Sequence, residues 1–432
     1  MSIGFVSLGC DKNTVDTEVM IALCAQAGYI IVNKPSEADI LVINTCAFIA
    51  DAKQESIDAI IEMAQYKESR CRLLVVAGCL AQRYAKQIRE LLPEADVLVG
   101  VGSVSEIVKA IESRSDCFAD KNAPCENALP RVLTTPAHYA YLKIAEGCDN
   151  CCTYCAIPFI RGHFRSREMN SLIEEAKELA DSGVREIIVV AQNTARYGVD
   201  LYGEKRLARL LRELCALDGI EWVRVHYCYP EEIDEELISA IAEEKKIVKY
   251  LDIPLQHASD SVLKRMGRRL SCEEAKNLIA RLRSKIEGLV IRTSFIVGFP
   301  GESEEDFEAL CAFCEDMRIE RVGVFTYSKE EGTAAAKLGG HISKSVKEQR
   351  RDRLMLLCAT ISRKYNASQE GKIYTALCEG FDNNMYVGRI YSQSASVDGK
   401  TYFAAQREVL SGEFVNVEIA DSDEYDLYGR QA

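Results

Sequence analysis

The sequence predicts an α/β protein built from three folded units. Apolar runs alternate with helical segments in the first third, and the same alternation resumes from Tyr139 with six candidate strand–helix units. The C-terminal segment contains only short β-rich runs separated by glycine turns. Alternation indicates parallel sheets covered by helices, and short strands alone indicate a small barrel. We therefore expect an N-terminal parallel α/β sheet domain, a partial (β/α)6 barrel and a small antiparallel, OB-like β-barrel.

Changes in composition place the boundaries between these units. We expect an N-terminal domain over residues 1–114, a linker over 115–135, a barrel over 136–366 and a last domain over 367–432. The linker loses periodicity and contains the Asp, Asn and Pro residues that are typical of loops. A long polar helix, Lys344–Gln369, is expected to connect the barrel to the last domain.

The composition also limits the classes of function. The chain has 432 residues, of which 48% are hydrophobic, so it can bury sizeable cores. We find no apolar run long enough to span a bilayer and no signal peptide at the N-terminus, so no membrane partner is expected. The 18 cysteines then indicate reduced thiols, metal and a cytoplasmic location. A net charge of −13 is a poor match to a phosphate backbone.

Three cysteines of the first domain follow predicted strands. Cys10, Cys46 and Cys79 lie just after the strands Ile3–Gly9, Asp39–Asn44 and Leu73–Ala77. Ligands of parallel sheets bind at the carboxyl ends of the strands, so these thiols are expected to converge on one edge. Taken singly, each cysteine is more often a small buried apolar residue than a ligand. Their equivalent positions favour a metal cluster.

A second set of three cysteines follows the apolar run Tyr139–Ala145. Cys148, Cys152 and Cys155 have the spacing C-x3-C-x2-C on a loop that can surround a small inorganic core. Three thiolates on a four-iron cluster leave one iron open to activate a small molecule. The alternative is a zinc knuckle, but structural zinc sites normally have four ligands. Cys151 is interpreted as a bystander.

Three arginines follow this motif. Arg161, Arg165 and Arg167 have the geometry to bind a carboxylate, but we expect them to form a solvated basic face.

These strings resemble a known enzyme family. The motif C-x3-C-x-aromatic-C, with Tyr154 as the aromatic residue, resembles the radical S-adenosylmethionine superfamily. The strings SLGCDKN, NTCAFI and GCLAQRY resemble the N-terminal domain of its methylthiotransferase branch, and the last segment resembles a TRAM domain. The resemblance covers the whole chain. It implies two 4Fe-4S clusters, one on Cys10, Cys46 and Cys79 and one on Cys148, Cys152 and Cys155. Tyr154, Gln192 and Gly298 are then expected in the S-adenosylmethionine pocket.

Two subfamilies of methylthiotransferases compete. The RimO-type subfamily modifies the β-carbon of an aspartate in a small-subunit ribosomal protein, the twelfth, whereas the other modifies an isopentenyladenosine of tRNA. The strings AQNTARYG, DIPLQHASDSVLKRMGRR, SFIVGFPGE and FTYSKEEGTAA resemble the RimO type. Residues 367–432 carry five Lys or Arg and eleven Asp or Glu, a net charge of −6. That charge favours a basic ribosomal protein over tRNA.

Two departures from the RimO-type pattern concern substrate contacts. Gln192-Asn193-Thr194 stands where Gln-Asp-Thr is more usual, and Arg389–Gly399 replaces an acidic, proline-containing loop.

The resemblance also implies a mechanism and partners. A radical made from S-adenosylmethionine removes hydrogen from the aspartate β-carbon, the N-terminal cluster supplies sulfur, and a second S-adenosylmethionine supplies the methyl group. The electron is expected from a donor such as flavodoxin or ferredoxin. The tRNA methylthiotransferase remains the alternative, and a non-catalytic iron–sulfur electron carrier or RNA-binding module is a third hypothesis.

Overall fold

Three main sheets follow one another along the chain, and the computed structural model describes all of residues 1–432. A five-stranded sheet comes first, a six-stranded sheet second and a closed five-stranded barrel last. This succession agrees with the predicted fold class. No helix has both the length and the apolar character needed to cross a membrane.

The first sheet is entirely parallel, with the strand order β2-β1-β3-β4-β5. Its central strands, β3 and β4, are buried along their whole length because helices cover both faces. Its strands are β1 Ser2–Ser7, β2 Ile30–Ile31, β3 Ile40–Thr45, β4 Leu73–Gly78 and β5 Val97–Val99, and its helices are α1 Asp11–Gln26, α2 Ala50–Ala64, α3 Cys79–Leu91 and α4 Ile107–Ser113.

The second sheet is an open, fully parallel barrel. Its strand order is β13-β12-β11-β10-β9-β6, and the two edge strands do not pair with each other. Its strands are β6 Tyr139–Lys143, β9 Glu186–Val190, β10 Trp222–Val225, β11 Ile247–Asp252, β12 Val290–Val297 and β13 Arg321–Thr326, while β7 Ala145–Glu146 and β8 Arg165–Ser166 form a separate pair.

Helices cover the outside of this barrel and form its largest apolar core. They are α5 Ile157–Arg161, α6 Met169–Asp181, α7 Val199–Tyr202, α8 Leu207–Cys215, α9 Glu235–Glu243, α10 Asp260–Met266, α11 Cys272–Lys285, α12 Glu304–Met317 and α13 Lys344–Ala367. Because the strands alternate, Val223 and Val225 face that core while Arg224 between them faces the barrel interior.

The last barrel differs in one respect from the antiparallel prediction. Four of its five strand pairings are antiparallel, but β16 and β18 run parallel. The strand Leu427–Gln431 was not among the predicted ones, since its polar residues give no apolar run. The strands are β14 Ile373–Asp382, β15 Met385–Ile390, β16 Thr401–Ala404, β17 Phe414–Ser422 and β18 Leu427–Gln431.

The segment after β15 enters the interior of the central barrel. Ser392, Gln393 and Ser394 are fully buried there. Ala395 packs in a cluster with Tyr139 and other barrel residues, and that cluster also contains a residue of α1. The unusual Arg389–Gly399 segment therefore fills the barrel and contacts both other domains.

A buried ion network joins the last barrel to the central one. The carboxylate of Glu186 accepts hydrogen bonds from Arg224 Nε at 2.7 Å and from Arg389 Nη2 at 2.6 Å. Arg389 also donates to Glu379 at 2.6 Å. Burial alone would raise the pKa of Glu186, but the Arg389 and Arg224 guanidinium groups outweigh it and keep the pKa below its usual value.

The predicted linker also makes specific contacts. Arg131 donates to Glu18 of α1 at 2.7 Å and to Glu175 of α6 at 2.7 Å. Both carboxylates are largely buried, so the linker ties the first domain to the barrel.

We predict that Glu186→Gln destabilises the protein. The substitution removes the charge that Arg224 and Arg389 share and leaves the buried Arg224 without a carboxylate, which costs about 3–5 kcal/mol in comparable buried pairs. Chemical unfolding of the full chain measures the change. Glu308→Gln is the matched control, because it breaks the solvent-exposed pair with Arg353 and should leave the unfolding midpoint unchanged. Equal midpoints for both variants would contradict the structural role of Glu186.

Candidate functional site

The first set of cysteines lies at the carboxyl edge of the N-terminal sheet. Cys10 directly precedes α1, Cys46 follows β3 and Cys79 begins α3. Gly9 has a φ of +91°, and a Cβ there would lie 2.7 Å from Cys46 Cβ. The glycine therefore lets the end of the first strand approach the second cysteine closely. We call these three residues triad one.

Polar groups surround triad one. Asn13 donates to the carbonyl oxygens of Leu8 and Thr45 at 2.9 and 3.0 Å, and its Oδ1 accepts from Cys79 Sγ at 3.9 Å. Burial raises the pKa of the Cys79 thiol to about 12, although the nearby Arg161 cation opposes the shift. Burial also raises the pKa of Cys46. A metal cluster would bind these groups as thiolates and so displace their protons.

The second set, Cys148, Cys152 and Cys155, lies on the loop between β7 and α5. We call it triad two. The backbone N–H groups of Asn150 and Ile157 donate to the sulfur atoms of Cys148 and Cys155, both at 3.4 Å. Burial raises the pKa of Cys148 to about 11 and that of Cys155 further. Donors aimed at sulfur stabilise negative thiolates, which suits a cluster site.

Tyr229, at the carboxyl end of β10, adds a side-chain contact to triad two. Its hydroxyl lies 3.4 Å from Cys152 Sγ. The Arg268 guanidinium lies over the tyrosine ring, 3.9 Å from its centroid, and fixes its position.

One buried arginine connects the two triads. Arg161 is 1% exposed and ends α5, the short helix that follows Cys155. Its Nη2 lies 3.7 Å from Cys79 Sγ and donates to Asn13 Oδ1 at 2.6 Å, while its Nη1 donates to Glu146 at 2.8 Å. The expected solvated basic face is wrong for this residue. Arg161 therefore ends the five-residue helix that follows triad two, and its side chain reaches a cysteine of triad one.

Glu146 completes this connection from the barrel side. It also binds Lys143 at 3.0 Å, and Lys143 in turn forms an ion pair with Asp16 of α1. Burial alone would raise the pKa of Glu146, but the Arg161 and Lys143 cations hold it well below its usual range. The carboxyl edges of the two parallel sheets therefore face each other.

Buried polar atoms without partners lie at the carboxyl end of the barrel strands. Gln192 donates to Glu146 at 3.0 Å, but its Oε1 has no partner, and neither polar atom of the fully buried Asn193 has one. The Tyr327 hydroxyl is also unpartnered. Such groups normally bind a ligand or water, so this end of the barrel suits a polar molecule such as S-adenosylmethionine.

The other two predicted pocket residues have different surroundings. Tyr154 packs edge-on against Phe299, with ring centroids 6.5 Å apart. Gly298 has a φ of +73°, and a Cβ there would lie 2.3 Å from Lys347 Cγ of α13. The structure thus explains this glycine by the close approach of the Lys347 side chain.

No group of three His, Cys, Asp or Glu side chains is arranged to hold a single metal ion. A four-iron cluster separates its thiolates more widely than one ion does. The residues suit such clusters, since the thiols lie at two facing edges, N–H groups donate to sulfur in triad two, and unpartnered polar atoms lie at the same end of the barrel.

Sequence reasoning missed several polar residues between the two edges. Lys12 is 7% exposed, pairs with Asp11 at 2.8 Å and lies 3.6 Å from the ring centroid of Tyr227. His226 lies 3.8 Å from Asp11 and 2.7 Å from Ser394 of the inserted segment. The string SLGCDKN contains Asp11 and Lys12, but their partners are distant in sequence and gave no spacing signal.

Three family profiles match successive parts of the chain. They are described as "Uncharacterized protein family UPF0004" over residues 2–100, "Radical SAM superfamily" over residues 142–314 and "TRAM domain" over residues 371–431.

Full-length relatives decide the family. "Ribosomal protein uS12 methylthiotransferase RimO" of Acetivibrio thermocellus is 50% identical over 99% of this chain and 97% of its own length. The protein of the same name in Lachnoclostridium phytofermentans is 51% identical over 99% of both chains. The chain belongs to the RimO family. This membership confirms the resemblance to RimO-type methylthiotransferases that the sequence motifs indicated.

Solved structures support the fold alone. The radical S-adenosylmethionine methyltransferase TsrM of Kitasatospora setae aligns with a TM-score of 0.57 at 14% identity, covering 75% of this chain and 74% of TsrM. The cobalamin-dependent enzyme OxsB aligns with a TM-score of 0.52 at 12% identity, covering 83% of this chain and 57% of OxsB. Together with the observed sheets, they confirm the fold class predicted for this RimO-family chain.

We predict that the two triads have separable roles. Anaerobically reconstituted protein should hold about eight irons, and replacing Cys148, Cys152 and Cys155 with Ala should remove about half of them. That variant should make no 5′-deoxyadenosine, whereas the matched control Cys151→Ala should still cleave S-adenosylmethionine. Continued cleavage by the triple variant would contradict the assignment of triad two.

Replacing Cys10, Cys46 and Cys79 with Ala should have a different effect. S-adenosylmethionine should still be cleaved, because triad two is intact, but no sulfur should be inserted into the substrate. Mass spectrometry of the substrate protein measures insertion. Complete methylthiolation by this variant would disprove the role of triad one.

Proposed function

We propose that this chain attaches a methylthio group to ribosomal protein uS12, at the β-carbon of an aspartate. Its relatives are named for that protein. The observation that carries the chemistry is the position of two cysteine triads at facing sheet edges, with Arg161 in contact with Cys79 of triad one and with Glu146, two residues before Cys148 of triad two. RimO-family membership confirms the enzyme class, a radical S-adenosylmethionine methylthiotransferase, and the predicted cofactors, two 4Fe-4S clusters and S-adenosylmethionine.

The chain's own residues prepare the site for this reaction. When bound, the cofactors would supply a carbon-centred radical and the methylthio group. Triads one and two would hold the two clusters, and Asn150, Ile157 and Tyr229 would stabilise the thiolates of triad two. Gln192 and Asn193 present unpartnered polar atoms to S-adenosylmethionine. Ser394 and its neighbours fill the barrel interior and exclude water.

Lys12 is our candidate for binding the carboxylate of the substrate aspartate. It lies two residues after Cys10, at the edge that faces the barrel, and is held between Asp11 and the ring of Tyr227. A largely buried ammonium group binds a carboxylate strongly, because little water competes.

We predict that Lys12→Met lowers kcat/KM for methylthiolation about 10- to 100-fold, the loss expected for one charge-assisted hydrogen bond. The effect should fall mainly on KM for the substrate protein, and Lys12→Arg should recover part of the activity. Lys34→Met is the matched control, since Lys34 is exposed and distant from both triads. An unchanged KM in Lys12→Met would exclude this residue from substrate binding.

The proposal also includes an electron donor and a cellular location. An external one-electron donor such as flavodoxin or ferredoxin would reduce triad two's cluster, and a cytoplasmic location would keep the thiols reduced.

We also propose the domain boundaries at residues 114, 135 and 366. The last domain carries exposed acidic residues without ion pairs, namely Asp382, Glu408 and Asp421, which favours the basic ribosomal protein.

A deletion strain tests the substrate. We expect mass spectrometry to show ribosomal protein uS12 without its methylthio group and tRNA with its methylthioadenosine content unchanged. Complementation with the wild-type gene is the control and should restore the modification of uS12. Loss of a tRNA modification with normal uS12 would favour the tRNA methylthiotransferase instead.

A further inference from the structure

The loop of triad two is held from outside by two exposed turns. Thr153 N–H donates to the Met266 carbonyl at 2.9 Å, and Thr153 Oγ1 donates to the Arg265 carbonyl at 2.8 Å. On its other side, the Thr153 carbonyl accepts from Ala335 N at 2.8 Å. Gly267 lies so close that a Cβ there would be 2.8 Å from the Cys151 carbonyl oxygen. These turns are therefore hydrogen-bonded directly to the loop that carries the cysteines.

These turns carry three exposed cations. Lys264 and Arg269 flank the end of α10, and Lys337 lies two residues after Ala335. None of the three forms an ion pair, although the chain contains many such pairs elsewhere. We call Lys264, Arg269 and Lys337 the cationic rim.

The other charges nearby are already balanced. Arg265 pairs with Asp306 at 3.5 Å, and Arg268 pairs with Glu231 at 3.6 Å. On the opposite side of the loop, Asp149 contacts the exposed His163 at 3.0 Å.

Two exposed carboxylates lie close to the rim in sequence. Asp260 accepts a hydrogen bond from Cys272 N at 2.7 Å, and Glu331 carries no ion pair. The three rim cations themselves form no ion pair, on a chain whose net charge is −13.

We infer that the cationic rim docks a small acidic protein that carries one electron at a time. The inference rests on the proposed function, since a cluster on triad two needs an external reductant. The carrier is oxidised by one electron, and that electron reduces the cluster behind the rim. Opposite charges orient an acidic carrier at this side of the loop and raise its association rate, while the acidic remainder of the surface repels it from other positions.

The ribosomal substrate does not fit this surface. A basic ribosomal protein would meet like charges at the rim, whereas an RNA phosphate backbone is the competing polyanion. The rim has only three cations and no exposed aromatic ring for base stacking in these turns, so the acidic protein is favoured. RNA binding is an outcome that the experiment separates.

The test compares two reductants in the full-length, reconstituted enzyme. The variant is Lys264→Glu/Arg269→Glu/Lys337→Glu, and the matched control is Lys86→Glu/Lys177→Glu/Lys245→Glu, three exposed lysines without ion pairs elsewhere on the surface. Formation of 5′-deoxyadenosine is measured with reduced flavodoxin and, separately, with dithionite, a small chemical reductant that needs no docking surface. A second variant, Lys264→Gln/Arg269→Gln/Lys337→Gln, removes the charges without reversing them.

We expect the rim variant to lose about tenfold or more in kcat/KM for flavodoxin, with the Gln variant intermediate, because steering depends on charge. Its dithionite-driven rate should stay within about twofold of wild type, and the control should change with neither reductant. Salt should weaken the flavodoxin-driven reaction of the wild type, as it screens exposed charges beyond about 10 Å at 0.1 M.

Three results would overturn the inference. The first is an unchanged flavodoxin-driven rate in the rim variant, and the second is an equal loss in the control variant. The third is that the rim variant binds a ribosomal RNA fragment more weakly than the wild type does, while its flavodoxin-driven rate is unchanged. No cleavage by wild-type enzyme with dithionite would instead overturn the proposed function, so the two failures are distinguishable.

Discussion

The guanidinium group of Arg161 joins the domain that carries triad one to the domain that carries triad two. A buried arginine is costly unless carboxylates and acceptors surround it. Here Glu146 comes from the barrel, whereas Asn13 and Asp16 come from the first domain, so both domains must be in place to satisfy one side chain. Arg161 also contacts Cys79 and ends the helix after Cys155, so the same side chain links the domain of triad one to the loop of triad two.

The last domain is attached by a similar arrangement. Glu186, at the start of β9, accepts from one arginine of the barrel and from Arg389 of the last domain. Beyond it, Ser394 contacts His226, which faces Asp11 beside Cys10. The inserted segment therefore reaches the first domain through the barrel interior. Buried charged and polar groups specify how the three domains meet, and one apolar cluster, which contains Val15, Tyr139 and Ala395, also spans all three.

Local patterns predicted much of this fold. The predicted alternation of strands and helices from Tyr139 is present, and local signals mark its elements, such as alternating burial along Val290–Val297 and a capping box at Ser303 before helix Glu304–Met317. The rule that ligands bind at strand carboxyl ends placed both triads. The Arg161 network could not be predicted, since its partners lie up to 148 residues away. The same holds for the parallel pairing of β16 and β18, which depends on barrel closure rather than on either strand's sequence.

The proposed ribosomal substrate and the proposed reductant carry opposite charges, so the surface would have to attract both without letting them compete. With a net charge of −13, the chain as a whole favours a basic ribosomal protein. At physiological salt, however, fields between exposed charges extend only about 8 Å, so a group of three cations acts locally despite that total. The cationic rim lies on the turns that bind Thr153 of triad two's loop, whereas Lys12 follows Cys10 of triad one and lies over the ring of Tyr227. The proposed reductant and the proposed substrate would therefore bind at separate places, and reduction of the cluster would not require the substrate to leave.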